Sequence, residues 1–70
     1  MTELLNASTV GRNISVLLAK NDVRSGELAN YMGVTPSTIS RWKHGRGLPT
    51  AGNMYKIAMF FNTSIAELVK

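Results

Sequence analysis

The chain carries one histidine, His44, and no cysteine, so nucleophilic and metal chemistry have few places to start. Its four acids, Glu3, Asp22, Glu27 and Glu67, show no spacing that would pair two carboxylates on one face. General acid–base catalysis therefore lacks its second partner. A Ser-His-Asp set fails for a similar reason: no acid near His44 in sequence could orient its imidazole. One histidine cannot hold a metal ion alone. Gly45-Arg46-Gly47 is too short for a nucleotide phosphate loop and follows a helical pattern rather than a strand. No catalysis, no cofactor and no metal are expected.

The other candidate chemistry is electrostatic. Eight basic residues against four acids give a net charge of +4. Residues 1–30 balance, with Arg12, Lys20 and Arg24 against Glu3, Asp22 and Glu27. The excess lies in residues 31–70, where Arg41, Lys43 and Arg46 crowd beside His44. Such a cluster suits either a solvated face or a site for a polyanion such as DNA, and charge alone does not choose between them.

Those residues must be positioned by a small framework. Seventy residues make one domain with a small core. The apolar fraction of 44% and charged fraction of 17% suit a globular chain. The longest apolar run, residues 57–61, is far short of a membrane span. The N-terminus has no basic start and no long apolar stretch, so a cytoplasmic domain without a secretory signal is expected. Residues 1–7 are expected to fray, leaving residues 8–70 as the domain.

Every periodic stretch reads helical. Thr9 or Ser8 is expected to cap a first helix with a stripe at Val10, Ile14, Leu17 and Leu18, ended by Asn21-Asp22. Ser25 is expected to cap a second, over about 25–33, with Leu28, Ala29 and Met32 inward and Gly33 as its left-handed stop. Thr35-Pro36 starts a third, over about 35–44, which Gly45 ends. Thr50 caps a fourth with Met54, Ile57, Ala58 and Phe61 on one face and Asn62 as its stop. Ser64 and Glu67 form a capping box for a fifth. The expected fold class is all-α, a bundle of five short helices.

The pattern Leu28-Ala29-x-x-x-Gly33-Val34-Thr35-x-x-Thr38-Ile39-Ser40-x-Trp42-x-x-Gly45-x-x-x-Pro49 resembles the helix-turn-helix of the lambda-repressor/Cro/Xre family. Ala29 is small enough for a close helix crossing, Gly33 supplies the positive φ of the turn, and Val34 plugs its inside. Ile39 and Trp42 tie the third helix to the core. The resemblance covers residues 9–69 and implies a third helix in the DNA major groove. It places Pro36, Ser37, Ser40 and Arg41 at base edges, with Arg41 able to pair with guanine O6 and N7. It sets Ser25, Thr38, Lys43, His44 and Arg46, with the first amides of the fourth helix, against phosphates. Three positions depart from the family: Ser25 and Pro36 stand where glutamine is common, and Lys43 where an acid is common.

At this length the resemblance is to short phage Cro-like regulators, antitoxins, or a small protein that modulates a repressor. The implied partner is double-stranded DNA, bound as a homodimer, without a membrane. The alternative partner is a companion repressor protein. Tyr55, Met59, Phe60, Ile65 and Val69 are the candidate apolar surface for a dimer or such a partner, and a core role for Phe60 and Ile65 is the competing reading.

Overall fold

In the computed structural model, which describes residues 5–70, five helices follow one another in short steps. They are α1 (Ala7–Lys20), α2 (Ser25–Met32), α3 (Pro36–Lys43), α4 (Ala51–Phe60) and α5 (Ile65–Val69). No strand occurs among the described residues. The fold is the all-α helix-turn-helix architecture that the sequence predicts.

Three helix starts follow the expected chemistry. Thr35 Oγ1 accepts a hydrogen bond from the Thr38 amide at 3.2 Å, with Pro36 in the first turn. Thr50 caps α4 through the Asn53 amide at 3.1 Å, and Ser64 caps α5 through the Glu67 amide at 3.2 Å. The reciprocal half of the Ser64 box does not form, and the Glu67 carboxylate meets Lys70 Nζ at 2.9 Å instead.

Two starts correct the sequence reading. Asn6, not Ser8 or Thr9, caps α1: its Oδ1 accepts from the Thr9 amide at 3.1 Å, so residue 7 is already helical. Of the segment expected to fray, residues 1–4 lie outside the described residues. Ser25 is likewise inside its helix rather than capping it. The extended residue is Arg24, whose amide donates to Glu27 Oε1 at 2.9 Å. An acid in the first turn thus satisfies an orphan donor from within the helix and favours the positive end of its dipole.

Four helices stop in one way. Asp22, Gly33, Gly45 and Asn62 all have left-handed φ, between 55° and 73°. After each, the next amide reaches back five residues: Val23 to Leu18, Val34 to Ala29, Arg46 to Arg41 and Thr63 to Ala58, at 2.8–3.0 Å. Each such bond satisfies a carbonyl that the helix leaves unpaired. Val23 and Val34, the residues just past the first two stops, pack against the core.

That core is wholly apolar among the described residues: Val10, Ile14, Leu18, Leu28, Ala29, Met32, Ile39, Trp42, Met54, Ile57, Ala58 and Leu68. Helix α3 packs on both α1 and α2, α1 also meets α5, and α4 joins α2 to α5. Leu17 and Phe61, expected inside, are half-buried at its edge. Asn13 Nδ2 donates to the Leu68 carbonyl at 2.7 Å, tying the last helix to the first.

One close crossing was not legible in the sequence. Helix α1 passes the end of α3 at Gly11, where a Cβ would collide with the Trp42 carbonyl oxygen and lie 3.0 Å from the carbonyl oxygen of Lys43. Gly11 is therefore the contact that sets how closely α3 lies against α1.

Candidate nucleic-acid interface

Helix α3 is amphipathic in the sense a reading helix requires. Ile39 and Trp42 are buried, while Pro36, Ser37, Ser40 and Arg41 form one exposed face. Two anchors on the inner side leave a short helix little freedom to roll, so the outward residues hold a defined direction. With side chains, an α-helix is about 10–12 Å across, which the roughly 12 Å major groove admits.

The flanking residues are distributed less evenly. The Arg41 guanidinium lies over the loop after α3, where a Cβ on Gly47 would sit 3.4 Å from one of its nitrogens. Arg46 is exposed just past the helix, and its amide closes the α3 end on the Arg41 carbonyl at 2.9 Å. His44 folds back, its Nδ1 2.8 Å from the Ser40 carbonyl. A carbonyl only accepts, so Nδ1 donates and Nε2 is left for an outside partner.

Ser25 and Lys43, eighteen residues apart, come together: Lys43 Nζ donates to Ser25 Oγ at 3.2 Å. The ammonium of α3 is thereby held at the first turn of α2. Thr38 is half-buried, with its hydroxyl 3.0 Å from that of Thr35 and engaged at the cap. The only ion pair among the described residues is Lys70–Glu67, so the charges of Arg41, Lys43 and Arg46 have no carboxylate on them.

The expected apolar surface divides. Tyr55 and Met59 are more than half exposed, and Ile65 is exposed as well. Phe60 and Val69 instead pack against the core. Phe60 turns inward because two rings hold it, Tyr31 and Phe61, each with its centroid 4.9 Å away. Tyr31 on α2, itself 52% exposed, is a further exposed aromatic that was missed in the sequence.

Also missed was a polar row on α1. Ser8, Arg12 and Ser15 line a cleft with Lys43, His44 and Gly45 at the end of α3. The signal was available, since these three residues recur at helical spacing beside the apolar stripe.

A short helix held outward by two buried anchors, after a turn made by one left-handed glycine, defines a helix-turn-helix domain. The sequence matches the helix-turn-helix family over residues 17–68, and the chain belongs to that family, of the Cro/C1 type. Its structure is similar to that of the SOS-response transcriptional repressor LexA from Eubacterium rectale, at 26% identity and a TM-score of 0.87 over 93% of this chain and 69% of that one. It is also similar to the clp gene regulator ClgR from Corynebacterium glutamicum, at 22% identity and a TM-score of 0.85 over 93% of this chain and 83% of that one. A third similar structure is hydroxypropylphosphonic acid epoxidase from S. wedmorenis, at 24% identity and a TM-score of 0.86 over 96% of this chain and 36% of that one. The last two likenesses are of fold alone. No curated protein matches the sequence. Because the same fold also occupies part of an enzyme, function has to be argued from the outward residues.

Proposed function

We propose that this protein binds double-stranded DNA and regulates transcription, with α3 in the major groove. The observation that carries this reading is the outward face of α3. Pro36, Ser37, Ser40 and Arg41 are exposed together, and the cations beside them have no carboxylate on them among the described residues. Membership of the helix-turn-helix family and the likeness to LexA support it. No helix among the described residues is long and apolar enough to cross a membrane.

Sequence preference rests on Arg41, whose planar fork matches guanine O6 and N7. Ser37 and Ser40 discriminate weakly, because a hydroxyl bonds bases and phosphates alike, and Pro36 adds only van der Waals contact. Arg46, past the end of the helix, meets the backbone. Arg41→Ala is therefore expected to cost about 1–3 kcal/mol on the preferred site and to relax preference at one base pair. Arg46→Ala is expected to weaken binding to all duplexes alike and lower the salt slope by about one unit. Fluorescence anisotropy on specific and scrambled duplexes, at several salt concentrations, separates the two. Equal behaviour of both variants, with no preference by the wild type, would remove Arg41 as the reader.

One such domain makes few base contacts, and a two-fold operator rewards two copies with their α3 helices about 34 Å apart. The exposed Tyr55, Met59 and Ile65 supply apolar area for that pairing. Sedimentation on a palindromic duplex is expected to give two chains per site. A strict one-to-one complex would favour the second reading, in which this same patch binds a companion repressor and modulates it.

A further inference from the structure

We propose that the cleft between α1 and the end of α3 is a second anion site, built for a phosphate group, with Arg12 as its principal ligand. The cleft has a volume of about 370 Å³ and is lined by Ser8, Arg12, Ser15, Lys43, His44 and Gly45. Among the described residues its lining holds a guanidinium, a lysine, an imidazole and two hydroxyls, with no carboxylate. Among the described residues neither Arg12 nor Lys43 has an acid within ion-pair distance. The nearest partner of the Lys43 ammonium is the neutral hydroxyl of Ser25, which orients the charge without cancelling it.

Positive groups lining one open surface cleft, with no acid among them, give it a local positive potential. An anion is drawn to that potential. A phosphate suits the donor set better than a carboxylate, because its several acceptor oxygens can meet a guanidinium fork, an ammonium and hydroxyls together. The backbone is shaped for it as well. Gly45 has a left-handed φ of 70°, and a Cβ there would stand 3.2 Å from both Cα and Oγ of Ser8. The absent Cβ lets Ser8 lie close against the end of α3.

Two sources could supply the group: a backbone phosphate of bound DNA, or a free phosphate. The DNA source rests on the reading proposed above, and the free-phosphate source does not. The test uses the full chain with Arg12→Gln, and with Lys20→Gln as a control that removes equal charge elsewhere on α1. Circular dichroism first establishes that all three proteins are folded. Inorganic phosphate is then titrated against chloride at matched ionic strength, following the Ser8, Arg12 and Gly45 amides by NMR. In parallel, the salt slope of duplex binding is measured. A saturating phosphate shift in the wild type that Arg12→Gln abolishes supports the proposal with free phosphate as ligand. A salt slope lower by about one unit in Arg12→Gln, on specific and scrambled duplexes alike and not in Lys20→Gln, supports it with the DNA backbone as source. Should the wild type bind no duplex at all, the DNA reading fails and the phosphate titration alone decides the cleft. No phosphate shift, together with either no duplex binding or a slope in Arg12→Gln equal to that of the wild type or of Lys20→Gln, overturns the proposal.

Discussion

Gly11→Ala is expected to lower the melting temperature by about 10 °C and to take DNA binding with it. The added methyl would meet the Trp42 carbonyl and crowd the backbone of Lys43 and Gly45. These are backbone atoms at the closed end of α3, so no side chain can swing away to make room. Overpacking of this kind costs about 1–3 kcal/mol, and more where nothing can yield. Alanine's better helix propensity returns about 1 kcal/mol. With the cost at its upper end of about 3 kcal/mol, because backbone atoms do not yield, the net loss of about 2 kcal/mol is a large part of the roughly 4–10 kcal/mol available to a chain of this length. At about 4–8 °C per kcal/mol for a small domain, it is readily measured by thermal melting. Gly26→Ala is the internal control: a Cβ there meets nothing within 4 Å, so its melting temperature should stay level or rise. An unchanged midpoint for Gly11→Ala would mean that α1 and α3 do not approach this closely. The DNA-binding loss follows because α3 can yield only by moving away from α1, and its outward face moves with it.

Trp42→Ala is expected to remove about 3–5 kcal/mol, enough to leave much of the protein unfolded. Trp42 is 6% exposed and lies in the core with Ile39, on the side of α3 away from Ser37 and Arg41. Alanine would leave a cavity between α3 and its neighbours that this eight-residue helix cannot close without tilting. Urea denaturation followed by circular dichroism is the right measurement, since the variant loses the chain's single tryptophan as a fluorescent probe. Trp42→Phe keeps an aromatic ring in place and should recover part of the loss. The alternative role for an aromatic in a nucleic-acid binder is a stacking platform for bases. A variant that kept its full stability and lost only affinity for DNA would assign that role to Trp42.

What the sequence determined by itself was the set of local decisions. Thr35-Pro36, Thr50 and Ser64 start helices through bonds to an amide three residues on, and Gly33, Gly45 and Asn62 stop them through bonds that also close within a turn. Such interactions need only a few neighbouring residues, so they are written in spacing, as are the apolar stripes that select the core. The outward set Pro36, Ser37, Ser40 and Arg41 follows from the same periodicity once Ile39 and Trp42 are inward. Even locally, competition blurred two starts: Asn6 outbid Thr9, and Glu27 served the Arg24 amide where Ser25 had been expected to cap. Only the tertiary structure decided what depends on residues far apart in the chain. It pressed Gly11 onto Trp42, set Lys43 on Ser25, turned Phe60 in toward Tyr31 while leaving Tyr55 and Met59 out, and brought Arg12 to the end of α3. These contacts depend on the angle and distance at which helices cross. Those are set by the packing of all twelve core side chains at once, and no single spacing in the sequence encodes them.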